Sequence, residues 1–143
     1  MKPASIFALE FAVLVGAIAL LHFYWAVGGK WARAGTVPTF EGEPTMDPSG
    51  GVTALIGVLL LGAAAIVLSR GGYGPLAQDN YLARTGTWCV ALAFGARAIG
   101  DFRYVGMLKR QKGTLFAHKD TAYYVPICVV VLILGVLVAL SAP

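Results

Sequence analysis

The chain has 143 residues, enough for one domain, of which 58% are hydrophobic and only 13% charged, against about 25% charged in a soluble domain. Mean hydropathy is +0.75, and the apolar residues fall in four long blocks, which excludes an ordinary soluble fold. The formal charge of +4 does not point to nucleic acid, because most basic residues flank hydrophobic blocks, where they hold helices against anionic headgroups.

Crossing about 30 Å of hydrocarbon takes about 20 mostly apolar residues as a helix, since no water is there to satisfy an open backbone. Residues 4–27, 51–69, 82–100 and 121–140 meet that length. The reading is a single all-α integral membrane domain over residues 1–143, a bundle of four transmembrane helices.

The first span follows Lys2 but is too long for the apolar core of a signal peptide, and it ends in His22, Phe23, Tyr24 and Trp25. Loop one, residues 28–50, is broken by Gly28, Gly29, Pro38, Pro44, Pro48 and Gly50, so it reads as irregular. Loop two, residues 70–81, is short and turn-like. Loop three, residues 101–120, carries Arg103, Lys109, Arg110, Lys112 and Lys119.

Four spans place both termini with loop two, and loops one and three together on the opposite side. Lys2, Arg70 and Arg84 lie on the first side. Lys30, Arg33, Arg103, Lys109, Arg110, Lys112 and Lys119 lie on the second. The positive-inside rule then puts the termini outside and loops one and three in the cytoplasm.

In the third span Gly86, Cys89, Ala93, Ala96 and Gly100 recur at helical spacing, a stripe of small residues of the kind that lets helices approach closely in lipid. Ala12, Gly16 and Ala19 offer a similar surface in the first span. Helices one and three are therefore expected to touch. Cys89 and Cys128 read as small packing residues, with no CxxC or neighbouring histidine to suggest metal or redox chemistry.

Arg97 lies inside the third span, where an arginine costs about 2.5 to 3.5 kcal/mol unless paired or wet. Asp101, one turn on, is the expected partner, and Tyr104 continues the same face. His22, Tyr24, Trp25, His118 and Asp120 share that end of the bundle. Two readings stand. Convergence of His22, Tyr24, Trp25, Arg97, Asp101, Tyr104 and Asp120 would form a polar cytoplasmic-side pocket for a headgroup or small anion. Alternatively, the aromatics form an interfacial belt and the charged pair sets helix register. His22, His118 and Asp120 lack metal-site spacing, so no metal site is assigned, and His118, sitting in a loop, is poorly placed for a two-histidine haem. The residues name no cofactor.

Glu10 is a secondary candidate: an ionisable group about two turns into the first span with no assigned partner, since Arg84 projects from the wrong face of its helix. In the fourth span, Pro126 either opens the backbone, if the helix starts at Asp120, or begins the helix, if it starts near Val125.

The stretches HFYWAVGG (22–29), ARAIGDFRYVGMLKR (96–110) and GTLFAHKDTAYYVPIC (113–128) together resemble a small bacterial family of four-span membrane proteins catalogued as a domain of unknown function. The resemblance implies a bacterial inner-membrane setting and singles out His22, Trp25, Gly28, Gly29, Arg97, Gly100, Asp101, Arg103, Tyr104, Gly106, Lys109, Asp120 and Pro126. It implies no activity and leaves open whether the chain is an enzyme. The leading functional expectation is binding or processing of a lipid-like or amphipathic small molecule in the polar pocket. The alternative is an accessory or scaffolding subunit of a larger membrane complex. Expected partners are membrane lipids, with a membrane protein or a second copy of the chain as further candidates.

Overall fold

The computed structural model describes residues 2–74, 76 and 79–142. The long helices are α1 (Pro3–Ala26), α2 (Gly50–Arg70), α3 (Tyr81–Ile99) and the pair α4 (Leu115–Lys119) and α5 (Val125–Ser141), which a π-helical turn, Asp120–Tyr124, joins into one rod. By length and composition α1, α2 and the Leu115–Ser141 rod are apolar enough to cross a membrane. Helix α3 interrupts its apolar run with Arg84 and Arg97 and is less hydrophobic.

Local chemistry sets the boundaries. Pro3 stands in the first turn of α1, where its missing N–H costs nothing. Ser49 caps α2 by accepting from the Val52 N–H, and Asn80 caps α3 by accepting from the Leu82 N–H. Helices α1 to α3 follow the hydrophobic runs to within a residue, but the last rod starts earlier than the run. Thr114 accepts from the Ala117 N–H at 3.1 Å and begins α4, so residues 115–120 are helical and loop three is shorter than expected.

Pro126 thus lies inside a continuous rod. It has no N–H for the carbonyl four residues back, and its ring would crowd that carbonyl. The turn before it widens instead: the Val125 N–H donates to the Asp120 carbonyl, five residues back.

Helix α1 packs on α2 and α5, and α3 packs on α5 and α2. Ala8, Phe11, Val15, Ala64, Val67, Val131 and Val138 form the core. Helices α1 and α3 lie across the diagonal and meet through Phe11 and Phe94, whose rings stand edge to face with centroids 6.3 Å apart.

The small-residue seam is therefore corrected. Cys89, Ala93 and Ala96 are exposed, and α3 buries Ala83, Thr87, Ala91 and Ala98 instead. Gly86 faces Ile66 of α2, and Gly135 of α5 comes close to Ala91. Helix α3 carries two stripes of small residues, and spacing alone does not say which one meets its neighbours.

The two ends of the molecule are fixed by polar ties. At one end Ser5 Oγ donates to the Gly71 carbonyl at 2.8 Å, and Arg70 Nη2 donates to the Ala142 carbonyl at 3.0 Å. At the other, Lys119 Nζ donates to the Ala34 carbonyl at 2.6 Å and the Tyr124 hydroxyl to the Gly35 carbonyl at 3.2 Å. Loops one and three thus share an end. Loop one is more ordered than its breakers suggest: Thr39–Phe40 and Glu43–Pro44 pair antiparallel around Glu41 and Gly42.

Candidate functional site

Helix α3 ends where Gly100 turns to φ +92°, a conformation that suits glycine and stops the helix. The chain then folds back on the helix end. Met107 N–H donates to the Ala98 carbonyl at 2.8 Å and Leu108 N–H to the Ile99 carbonyl at 3.2 Å, satisfying carbonyls the helix leaves open. Gly106, at φ +87°, lies so close to Gly100 that a Cβ on either would strike backbone.

Asp101 closes this turn. Its Oδ1 accepts the backbone N–H groups of Arg103 at 2.9 Å, Tyr104 at 2.7 Å and Val105 at 2.8 Å. Desolvation pushes the Asp101 carboxyl up, but the N–H groups of Val105, Arg103 and Tyr104 outweigh it and hold the group below its ordinary value. Tyr104 is half-buried, with the Arg103 guanidinium 5.0 Å from its ring centre.

The expected Arg97 to Asp101 pair is therefore replaced. Asp101 is occupied by backbone, and Arg97 Nη2 reaches across to Asp120 Oδ1 at 2.8 Å. Asp120 opens the π turn and is fully buried. Its Oδ2 accepts the Gly106 N–H at 2.8 Å and Lys109 Nζ at 3.0 Å. Lys109, itself buried, also donates to the Gly106 carbonyl at 3.0 Å and to Thr121 Oγ1 at 2.8 Å, which uses all three of its ammonium donors. Arg97 Nη1 is buried with no hydrogen-bond partner among the described residues.

The aromatic candidates form a second group. His22 Nδ1 donates to the Ile18 carbonyl at 2.8 Å, and its ring stands edge-on to Trp25 at 5.3 Å. Trp25 Nε1 donates to the Trp31 carbonyl at 2.8 Å, and the Tyr24 hydroxyl accepts from the Trp31 N–H at 3.4 Å. These side chains fasten loop one to the end of α1. Of the candidates at this end, the structure brings Arg97 and Asp120 together and gives His22, Tyr24, Trp25, Asp101 and Tyr104 other neighbours.

Two hollows flank these groups. One, of about 480 Å³, is lined by Met107, Lys109, Lys112, Ala117, His118, Thr121 and Ala122, and so adjoins the ionic network. The other, of about 650 Å³, is an apolar groove along α1 from Leu14 to Tyr24, closed at one end by Trp31. Among the described residues no three His, Cys, Asp or Glu side chains converge as a metal site would require, and both cysteines are free thiols.

The sequence profile of the DUF3995 family, described as a protein of unknown function, matches residues 15–138. The chain belongs to this family. The matched span includes Arg97, Asp101, Lys109 and Asp120, whereas Glu10 precedes it. No curated protein and no solved structure matches the chain.

Lys109 and Gly106 complete the site; the family resemblance singles both out, but by charge alone Lys109 reads as one of five basic residues in loop three, and neither is among the candidate pocket residues. Their signal is the GDFRYVG turn. Two glycines six residues apart about an aspartate mark a closed loop, and such a loop puts the following lysine back on the helix end.

Asp120→Asn leaves Arg97 and Lys109 facing each other with no countercharge and is expected to cost about 3 to 5 kcal/mol. Lys109→Met should cost less, and Arg97→Gln least, because the Arg97 side chain is 34% exposed and water screens it. Thermal unfolding in detergent tests that order. Asp101 predicts a pH dependence. Its folded value is depressed, so its contribution is present above the unfolded value of about 3.9 and lost as pH falls through the folded one. The melting-temperature advantage of wild type over Asp101→Asn at neutral pH should accordingly shrink as pH falls below the unfolded value of about 3.9.

Proposed function

We propose that this family member is a four-span protein of the bacterial inner membrane that binds the anionic headgroup of an amphipathic molecule at the end formed by loops one and three. The observation that carries the reading is the hollow of about 480 Å³ that presents Lys112, His118 and Thr121 beside apolar Met107, Ala117 and Ala122, with Lys109 buried in its wall. Cationic and hydroxyl groups suit phosphate or carboxylate oxygens, and the apolar walls suit the first carbons beyond them.

Residues 101–120 contain five basic and two acidic side chains, and both acids are engaged within the chain. Asp101 binds backbone, and Asp120 binds Arg97, Lys109 and Gly106. The remaining positive charge faces outward, and the positive-inside rule puts this end in the cytoplasm with both termini outside.

Helix α3 is the fourth span in this reading. Helix α2 ends beside Ser5 and Ala142, and the last rod starts beside loop one. If those helices cross the membrane, the chain between them must cross as well. Nineteen residues span about 28 Å as a helix, and Arg84 and Arg97 fall near its ends, where long side chains reach the interface.

In this scheme Arg97, Asp120 and Lys109 hold the wall of the hollow in place and leave ligand contact to Lys112, His118 and Thr121. This departs from the sequence expectation, in which His22, Tyr24, Trp25, Arg97, Asp101, Tyr104 and Asp120 converge to line the pocket themselves. The scaffolding alternative draws support from the exposed small residues Cys89, Ala93 and Ala96 on α3.

The test is native mass spectrometry of the protein from mixed phosphatidylglycerol and phosphatidylcholine nanodiscs. Retained lipid should be enriched in phosphatidylglycerol, and Lys112→Ala with His118→Ala should lower that enrichment about tenfold. Equal retention of both lipids, or enrichment unchanged in the double variant, would count against the headgroup site.

A further inference from the structure

Glu10 stands seven residues into α1, on its exposed face with Val13, Ala17 and Leu20. Among the described residues nothing donates to it or pairs with it. An exposed carboxyl inside a helix of this hydropathy faces lipid, where neither water nor a countercharge reaches it.

Helix α3 shows the reverse. Arg84 is exposed near its start, next to exposed Trp88 and Leu92, and no described residue accepts from its guanidinium. Within one chain these groups cannot meet, because α1 and α3 lie across the diagonal and turn their exposed faces apart. Their depths nonetheless match. Both helices start at the same end of the molecule, and Glu10 and Trp88 each lie seven residues in, about 10 Å along the axis. Arg84 starts a turn nearer the end, within reach of its long side chain.

We propose that the exposed face of α1 docks on the exposed face of α3 of a second copy, with Glu10 of one chain held by Arg84 and the indole N–H of Trp88 in the other. The occupant is a second copy because both halves of the complementary pair are present in this chain. All copies insert in the same direction, so α1 and the neighbouring α3 run parallel and keep the two charges at matching depth.

The surfaces suit the contact in shape as well. Ala17 on α1, with Gly16 beside it and open space where a Cβ would stand, offers a flat strip to the larger Trp88 and Leu92. Cys89 and Ala96 let the backbones approach next to them. The contact joins two different faces, so it builds a ring or a chain of copies rather than a two-fold pair. It does not depend on the headgroup site, which lies at the opposite end.

Charge reversal tests it. Wild-type protein in nanodiscs should give oligomers by native mass spectrometry. Glu10→Arg and Arg84→Glu should each lower the oligomeric fraction at least about tenfold while the monomers keep their melting temperature. The double variant Glu10→Arg, Arg84→Glu should restore oligomers. A monomeric wild type, oligomers that survive either single reversal, or loss without recovery in the double variant would each overturn the proposal.

Discussion

One buried carboxylate organises the end of the molecule formed by loops one and three. Asp120 is fully buried and ties three pieces of chain together: Arg97 at the end of α3, Gly106 and Lys109 in the returning loop, and the start of the π turn in the last rod. A buried charge is costly alone, and its cost falls only when countercharges and hydrogen bonds surround it. Nearly every specialised residue nearby serves that condition. Gly100 and Gly106 let the loop close on the helix end, Asp101 holds its backbone shut, and Pro126 widens the turn in which Asp120 stands.

Much of the architecture was legible because the solvent imposes it. Lipid allows long apolar helices and little else, so the runs of about 20 residues marked α1, α2, α3 and most of the last rod. The start of α4 was missed because LFAHK is short and ends in charge, and only the Thr114 cap betrays it. The α3 seam was misplaced for another reason: a helix with two small-residue stripes gives two equal phases, and the choice between them is made by Ile66, Leu132 and Phe11 on neighbouring helices.

The candidate site was legible in its members more than in its pairing. Arg97 stands out as a charge inside an apolar span and Asp120 as an acid where the fourth span begins, and Asp101 is the nearer partner by helical arithmetic. Helical arithmetic fails there because α3 stops at Gly100, so position 101 no longer follows the helix face. Loop geometry then gives Asp101 to three backbone N–H groups and frees Arg97 for a residue 23 positions away. His22, Tyr24 and Trp25 belong to the fastening of loop one, so the end of the bundle carries an aromatic clasp and an ionic one side by side.

In the proposed headgroup site the ionic clasp matters because Lys109 and Thr121 belong both to it and to the adjoining hollow. A rigid wall holds Lys112 and His118 beside them as a preformed basic surface, whereas a loose loop would scatter them. Hydrogen exchange in nanodiscs, comparing wild type with Asp120→Asn, tests this most directly. Residues 100–109 should be protected in the wild type and exchange freely in the variant, with α1 and α2 unchanged. Equal exchange of residues 100–109 in the two proteins would contradict it.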